Sequence, residues 1–179
     1  MNTTISADVL TKARLVRLMI FDVDGVLTDG RLYFSDRGDE IKAFNIQDGH
    51  GIKMLQASGV KLAILTARNS VIVERRAREL GINHVRQGQS DKLTGFQDLL
   101  VECGLDAHQA GYMGDDLVDL PVLTRSGLSV SVPDAPELVR SHADLVTTAR
   151  GGRGAVRELC EMILHAQGNL DAAVAPYLR

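Results

Sequence analysis

The 179-residue chain contains only two cysteines, Cys103 and Cys160, so it cannot carry a disulfide framework. The two residues also lack the spacing of metal ligands, and each lies in an apolar helical pattern in which a buried thiol is expected. No apolar run approaches the ~20 residues that a membrane-spanning helix needs. Residues 1–9 carry no positive charge, which argues against a signal peptide. We therefore expect a cytoplasmic protein with no membrane partner.

An excess of basic residues is also missing, since 20 Lys and Arg against 23 Asp and Glu give a formal net charge of −3. Nucleic-acid binding depends on a basic stripe that neutralises phosphates, so we expect no nucleic-acid partner. A small anionic substrate is not excluded, because the charge near a site matters more than the total. The composition, 45% hydrophobic and 24% charged, is that of a globular protein. At this length we predict a single domain over residues 1–179.

An acidic motif ends the first predicted strand. The apolar run Leu18–Phe21 predicts a buried strand, and it stops at Asp22-Val-Asp24-Gly25. Buried parallel strands deliver residues to the carboxyl edge of a sheet, where ligands bind. Two ionised carboxylates at this spacing repel each other, so the pair calls for a cation such as Mg²⁺. A surface turn is the alternative reading, since Asp and Gly are turn residues.

Asp22, Asp24, Gly25 and Thr28 match the pattern Asp-x-Asp-Gly-x-x-Thr without departure. This pattern resembles the first motif of the haloacid dehalogenase superfamily of phosphatases. The resemblance implies a three-layer α/β fold built on a Rossmann-like parallel sheet. The alternation of predicted strands and helices along the chain independently favours the same fold class.

Three later positions carry polar residues in the order that this superfamily shows. Thr66 follows the second predicted strand and can donate its hydroxyl to a phosphate oxygen. Lys92, near the start of a helix, can neutralise charge on the phosphate. Asp115 and Asp116 follow another strand and bring a second acidic pair to the same edge. Each residue alone could have a purely structural role, such as a solvated lysine or a capping aspartate. Their occurrence together in this order, however, resembles motifs two, three and four of the superfamily.

The resemblance implies a two-step hydrolysis of phosphomonoesters. Asp22 attacks phosphorus and forms an aspartyl-phosphate, while Asp24 protonates the leaving alkoxide and later activates water. It also implies a Mg²⁺ ion held by Asp22, the main-chain carbonyl of Asp24 and Asp115. The implied phosphate ligands are Thr66 and Lys92, and the implied outer partners that orient metal-bound water and Lys92 are Asp116 and Asp119.

A short hairpin stands where most members of the superfamily insert a cap domain. Two runs that alternate apolar and polar residues flank a turn at Gly38, and they predict a β-hairpin insertion over residues 31–46. We predict that the next helix runs from Gly51 to Ala57, and that a later one is capped by Ser90. Residues 168–179 are expected to form a flexible tail.

Five further segments narrow the resemblance. They are Lys42-Ala-Phe-Asn45, Gln47-Asp-Gly49, Gly88-Gln-Ser-Asp-Lys92, Gly114-Asp-Asp-Leu117 and Gly151-Gly-Arg-Gly-Ala-Val-Arg157. With them the chain is similar, over nearly its whole length, to the family of 3-deoxy-D-manno-octulosonate 8-phosphate phosphatases. The visible departure is Ala67 in place of the usual glycine. The family implies hydrolysis of this sugar phosphate during synthesis of a lipopolysaccharide precursor, by a homotetramer whose neighbouring subunits complete each active site.

The sugar acid needs cationic and polar partners beyond the phosphate. The guanidinium fork of Arg68 suits a carboxylate, and backbone groups of residues 45–49 suit sugar hydroxyls. A solvated helix face is the alternative reading for Arg76 and its arginine neighbours. The resemblance places substrate contacts at Asp24, Asn45, Ile46, Gln47, Asp48, Gly49, Lys53, Arg68, Arg76 and Lys92.

Two rival functions and one further hypothesis stay open at this point. A related enzyme could act on a sialic-acid-type sugar phosphate, and a receiver domain would also phosphorylate an aspartate beside Mg²⁺. Asp24, two residues from the nucleophile, favours turnover over storage of the phosphate. We further hypothesise that Arg150 or Arg153 gates the site, with residues 170–179 as a movable extension. A flexible connector and a frayed end are the alternative.

Overall fold

The computed structural model describes residues 5–178; residues 1–4 and Arg179, which belong to the predicted amino-terminal and tail segments, lie outside them. The strands are β1 (Leu18–Phe21), β2 (Tyr33–Phe34), β3 (Glu40–Ile41), β4 (Lys61–Leu65), β5 (His84–Arg86), β6 (Ala110–Met113), β7 (Leu128–Ser131) and β8 (Leu145–Val146). The helices are α1 (Ala7–Leu15), α2 (Ile46–Ala57), α3 (Val71–Leu80), α4 (Lys92–Cys103), α5 (Leu120–Leu123), α6 (Glu137–Arg140), α7 (Ala155–Ala166) and α8 (Leu170–Val174).

Six strands form a parallel sheet in the order β5-β4-β1-β6-β7-β8. Strand β1 is central, and its last residue, Phe21, pairs with Ile64 of β4 and Met113 of β6. The residues that follow these three strands therefore meet at one edge of the sheet. The predicted α/β fold with a parallel sheet is confirmed.

Helices cover both faces of the sheet. Helix α7 packs against α1 and α2, and α2 contacts α3, while α4 and α5 contact each other. Because parallel crossovers are almost always right-handed, the change of direction in the sheet after β5 puts α2 and α3 on one face and α4 and α5 on the other. All four residues of β1 are buried, as an apolar run in a central strand requires. Cys103 and Cys160 are buried free thiols, as expected.

The predicted hairpin is present but shorter. Strands β2 and β3 pair antiparallel, and Gly38 turns the chain between them at a φ of 85°. The apolar side chains of the hairpin stay in solvent, with Phe34 59% and Ile41 54% exposed. The hairpin forms a separate two-stranded sheet.

Helix α2 begins at Ile46, five residues earlier than the predicted start at Gly51. Asn45 caps it, because its side-chain oxygen accepts hydrogen bonds from Gln47 N at 2.7 Å and Asp48 N at 3.4 Å. Gly49 was expected to lie outside the helix and Gly51 to begin it, but both lie within α2, where they allow close packing. A Cβ at Gly49 would strike the guanidinium of Arg76, and one at Gly51 would press on α7.

Two other boundaries differ from the prediction. Asp91, not Ser90, caps α4, accepting from Leu93 N at 3.1 Å, so Lys92 is the first residue of the helix. Residues 170–177 are helical, and Leu170 packs against the core. No helix among residues 5–178 is long and apolar enough to cross a membrane.

Candidate active site

The loop after β1 is a tight turn held by its own backbone and by Thr28. The amide of Asp22 donates to Met113 O at 3.0 Å, so the residue continues the sheet before the chain turns. The hydroxyl of Thr28 donates to Val23 O at 3.3 Å and accepts from Gly25 N at 3.4 Å. In this structure the threonine of the motif therefore stabilises the loop through its side-chain hydrogen bonds.

Gly25 brings the loop against the second acidic pair. Its φ of 94° lies in the left-handed region, which favours glycine. A Cβ at this position would overlap the carboxylate of Asp115. The glycine of the motif is required for both reasons, and its approach places Asp115 beside the residues that follow β1.

A buried lysine joins the nucleophile candidate to a buried aspartate. Lys92 Nζ lies 2.8 Å from Asp22 Oδ2 and 2.6 Å from Asp119 Oδ1. Burial by itself would lower the pKa of Lys92, but the charges of Asp22 and Asp119 outweigh it and raise that pKa. Lys92 is therefore a fixed ammonium at the sheet edge.

Asp119 is a fully buried carboxylate that accepts four hydrogen bonds. Oδ1 accepts from Lys92 Nζ and, at 2.5 Å, from the Tyr112 hydroxyl. Oδ2 accepts from the amides of Asp115 at 2.9 Å and Asp116 at 3.0 Å. With both oxygens engaged, Asp119 orients the site and is not free to ligate a metal. The sequence analysis did not identify Tyr112 as a site residue, because it lies in an apolar run that predicts only a buried strand.

Three carboxylates approach one another at the edge. Oxygens of Asp22, Asp115 and Asp119 all lie within 4.8 Å of each other. Because Asp119 is engaged, Asp22 and Asp115 are the carboxylates that can hold a cation. Among residues 5–178 the Asp115 carboxylate has no hydrogen-bond or ion-pair partner.

The electrostatics of this pair call for a divalent cation. Burial, reinforced by the charges of Asp22 and Asp119, raises the pKa of Asp115 to about 8. Burial also raises the pKa of Asp22 to about 6, although Lys92 opposes the rise. A hard cation with oxygen ligands would remove this repulsion, so the residues fit the Mg²⁺ predicted for the site.

Asp24 lies outside the cluster of three carboxylates and contacts two cations. Its carboxylate pairs with Lys42, which follows β3, and Arg68 Nε lies 3.6 Å from its Oδ2. Thr66 is buried just before this arginine, whose amide lies 3.5 Å from the Thr66 hydroxyl. The structure thus gathers these residues at the predicted edge. Lys42 was not identified as a site residue, because nothing in a hairpin's alternation shows that it folds over the sheet.

Lys53 and Arg76 lie in another pocket. They line a cavity of about 300 Å³ together with Ile46 and Gly49, and no residue of the acidic cluster lines it. Arg76 stands over the ring of Phe44, 5.7 Å from its centroid. The structure therefore does not bring these two cations together with Asp22 in the same pocket.

The carboxylate of Asp48 is engaged in the fold. It is buried, and it accepts hydrogen bonds from the amides of Gly154 at 3.3 Å and Arg157 at 2.8 Å, at the start of α7. Burial raises the pKa of Asp48 against these hydrogen bonds. Any substrate contact of Asp48 would have to come from its backbone. Asp116 is exposed and caps the turn at 117–119.

The glycine-rich segment before α7 is packed against the motif loop. Gly152 N donates to Val26 O at 2.9 Å, and a Cβ at Gly151 would overlap the carbonyl of Gly25. Composition suggested a flexible stretch, but these glycines serve close backbone contact. Arg150 and Arg153 line a cleft of about 440 Å³ beside this contact.

Comparison with known proteins agrees with this geometry. Residues 82–159 match the family model of haloacid dehalogenase-like hydrolases. The chain is 51% identical to 3-deoxy-D-manno-octulosonate 8-phosphate phosphatase of Escherichia coli K12 over 94% of this chain and 90% of that one.

Two solved structures share the whole fold. A probable phosphatase from Pseudomonas syringae pv. phaseolica 1448a is 55% identical, with a TM-score of 0.96 over 97% of this chain and 99% of that chain. The 3-deoxy-D-manno-octulosonate 8-phosphate phosphatase of Moraxella catarrhalis, solved with magnesium, phosphate and the sugar acid KDO, is 46% identical. Its TM-score is 0.93, over 95% of this chain and 98% of that chain.

The parallel sheet, the acidic turn after its central strand and the buried lysine define a haloacid dehalogenase-like hydrolase. Within that class, identity over nearly the full length is decisive. The chain belongs to the family of 3-deoxy-D-manno-octulosonate 8-phosphate phosphatases.

Proposed function

We propose that this protein hydrolyses 3-deoxy-D-manno-octulosonate 8-phosphate to the free sugar acid and phosphate in a Mg²⁺-dependent reaction. The observation that carries this proposal is the contact of Lys92 with both Asp22 and Asp119, with Asp115 unpaired beside them. A nucleophile, a charge-neutralising ammonium and a cation site are the parts that phosphoryl transfer needs. The substrate is the one that the E. coli and M. catarrhalis relatives are named for.

The two chemical steps use residues that the fold holds in place. Asp22 attacks phosphorus in line, and the bond from phosphorus to the sugar oxygen breaks as the aspartyl-phosphate forms. Asp24 enters the first step protonated on Oδ2, the oxygen that the exposed Arg68 can leave, and gives this proton to the leaving oxygen. It then takes a proton from the water that attacks the aspartyl-phosphate. Lys92 stabilises negative charge on the phosphate oxygens. When bound, Mg²⁺ supplies further positive charge at these oxygens.

A panel of sugar phosphates assayed with Mg²⁺ tests the substrate. We expect the highest kcat/KM for 3-deoxy-D-manno-octulosonate 8-phosphate, and a lower value for a sialic-acid-type sugar phosphate. A receiver domain would accumulate phosphate on Asp22 and release little, so multiple turnovers exclude that rival. A higher kcat/KM for the sialic-acid-type ester would overturn the proposed substrate while leaving the phosphatase chemistry intact.

We further propose that the protein is a homotetramer in which Lys53 and Arg76 serve the active site of a neighbouring subunit. These cations share a pocket that excludes the acidic cluster, so an anionic substrate held by Asp22 in the same subunit does not meet them there. The exposed Ile46 in the same pocket gives an apolar surface that a second subunit would bury.

Mixing two inactive variants tests this arrangement. Asp22→Asn lacks the nucleophile, and Arg76→Ala lacks a substrate contact. If Arg76 acts across the interface, mixed oligomers regain activity at sites that combine a normal Asp22 with a neighbour's normal Arg76. The matched control mixes Asp22→Asn with Thr66→Val instead of Arg76→Ala, because Thr66 acts in the same subunit as Asp22. No gain in the first mixture over the second would show that Arg76 acts within its own subunit.

A further inference from the structure

The hairpin places a lysine against the acid–base carboxylate. The Lys42 side chain is only 1% exposed, and its ammonium pairs with Asp24 Oδ1. Arg68 approaches the other oxygen, Oδ2, from a side chain that is 45% exposed. Both oxygens of Asp24 therefore face a cation, and one of the two cations is almost completely buried.

Glu40 joins the two cations on the side away from Asp24. Its Oε1 lies 3.3 Å from both Lys42 Nζ and Arg68 Nη2, and its Oε2 accepts a 2.6 Å hydrogen bond from the Ser70 hydroxyl. Charges of opposite sign thus alternate around the network, which leaves the buried ammonium well paired. Because Glu40 and Lys42 belong to the hairpin while Arg68 and Ser70 follow β4, the network ties the hairpin to the sheet edge.

We propose, on the basis of the phosphomonoesterase function above, that Lys42 is a positioning residue for Asp24. It holds the carboxylate where it faces first the leaving oxygen and then the attacking water. An acid or base must stand within about 2.6–3.2 Å of the atom whose proton it moves, so a carboxylate free to rotate is a poorer catalyst. The hairpin therefore contributes to the chemistry as well as covering the site.

The difference between the two cations gives each a separate task. Arg68 is exposed, and its fork can turn from Asp24 and Glu40 toward the carboxylate of a sugar acid. Lys42 is enclosed and stays on Asp24 when Arg68 moves. The acid–base group thus keeps its place while the substrate binds.

Leaving-group dependence tests this role. Lys42→Met keeps the length of the side chain and removes the ammonium. We expect kcat/KM for an alkyl phosphate, such as a sugar phosphate, to fall about 10²-fold or more, because its alkoxide must be protonated as it leaves. For p-nitrophenyl phosphate, whose phenolate leaves without a proton, we expect less than a tenfold fall. The comparison uses kcat/KM because this ratio excludes the later hydrolysis of the aspartyl-phosphate.

A double-variant cycle separates positioning from direct contact with the substrate. If Lys42 acts through Asp24, adding Lys42→Met to Asp24→Asn should change kcat/KM for the alkyl phosphate no further. A full additional loss in the double variant would show that Lys42 contacts the substrate itself and would overturn the proposal. An equal loss for both esters in the single variant would overturn it as well.

Arg37→Met is the matched control, since it removes an exposed cation from the same hairpin. It should leave kcat/KM unchanged for both the alkyl phosphate and p-nitrophenyl phosphate. The melting temperature of each variant shows whether it folds. Failure of the wild-type enzyme on 3-deoxy-D-manno-octulosonate 8-phosphate would overturn the proposed substrate only. The ester comparison does not use that compound and would still decide the role of Lys42.

Discussion

The Tyr112 hydroxyl lies 2.5 Å from Asp119 Oδ1, the oxygen that also accepts a hydrogen bond from Lys92. Burial, together with the Asp119 charge, raises the pKa of Tyr112 well above its ordinary value, so the phenol remains a hydrogen-bond donor. The Asp119 carboxylate accepts hydrogen bonds from four donors in this cluster. The charge of one buried carboxylate thus holds both the lysine and the backbone of the Asp115 loop.

Asp119→Asn should lower both kcat and the affinity for Mg²⁺. An amide has a single acceptor oxygen, so its NH₂ group would face either the Lys92 ammonium or the amides of Asp115 and Asp116. Losing one buried hydrogen bond to a charged group costs about 1.5–3 kcal/mol, so we also expect a clear loss of unfolding free energy. Steady-state kinetics, Mg²⁺ titration and urea unfolding measure the three effects.

Asp106→Asn is the control for this prediction, because Asp106 is an exposed cap that precedes β6, whereas the cluster lies at the other end of that strand. It should behave as the wild type in all three measurements. Unchanged kcat and Mg²⁺ affinity in Asp119→Asn would show that the buried Asp119 carboxylate has only a structural role.

Asp22→Asn should abolish turnover while the protein stays folded, because an amide is a poor nucleophile. Acid-quenched reactions with labelled substrate should show a phosphorylated wild-type protein and an unlabelled variant. Asp24→Asn should still become phosphorylated but turn over ~10²–10⁴-fold more slowly. Labelled Asp22→Asn, or wild-type rates in that variant, would contradict the covalent mechanism.

The stabilisation by Mg²⁺ should increase as the pH rises. In the metal-free folded protein the pKa of Asp115 is raised to about 8 by burial and neighbouring carboxylates, above its unfolded value near 4. Between these values the unfolded chain has lost a proton that the folded protein keeps, so metal-free stability falls as the pH rises. Mg²⁺ replaces that proton and removes the loss.

Melting temperatures with and without Mg²⁺ check this prediction. We expect the increase caused by Mg²⁺ to be larger at pH 8 than at pH 6. Asp115→Asn removes the titrating group, so it should abolish most of the pH dependence. An increase that is larger at pH 6 would contradict the assignment of Asp115 as the metal ligand.

The hairpin should drive oligomer formation. Phe34 and Ile41 leave large apolar areas in solvent, and an isolated two-stranded sheet is marginally stable in water. Pairing hairpins from several subunits would bury these side chains and cover the strand edges. Changing both residues to serine should dissociate the assembly in sedimentation velocity experiments at micromolar concentration. Phe44 is left unchanged in this variant, because Arg76 stands over its ring and a substitution there would also disturb Arg76.

Val101→Ser is the control for the hairpin, because this side chain is also exposed, at 83%, but lies on α4. It should leave the sedimentation coefficient unchanged. A wild-type protein that sediments as a monomer would exclude both the hairpin interface and the shared active sites.

Truncation after Gly168 tests the role of the carboxyl-terminal segment. In the structure the Tyr177 ring meets His50 of α2 edge to face, with 5.2 Å between centroids, and the segment lines a cleft with Lys53. If this segment helps to hold the substrate, its removal should raise KM; if it slows product release, its removal should raise kcat. Unchanged kinetics and oligomeric state would show that the segment is not a gate.

Periodic and local features could be predicted from the sequence alone. The apolar runs, the acidic turn at Asp22 and the order of Thr66, Lys92 and Asp115 led to the fold class and the chemical centre, because each signal lies within a few neighbouring residues. The helix starts were less accurate. Helix α2 begins five residues before its predicted start, because nothing local shows that Gly49 packs within a helix against Arg76 of α3.

Contacts between distant segments depended on the tertiary structure. The sequence by itself determined which residues stand at the ends of β1, β4 and β6, since strand ends follow from local hydrophobic pattern. Only the fold decided that Lys42 would cover Asp24, that Tyr112 would hold Asp119, and that Arg76 would lie in a pocket without the acidic cluster. Lys42 and Asp24 lie on different elements, 18 residues apart, and Tyr112 and Asp119, although only seven residues apart, lie on either side of the turn after β6. Their distances therefore depend on how the hairpin, the turns and the sheet pack together.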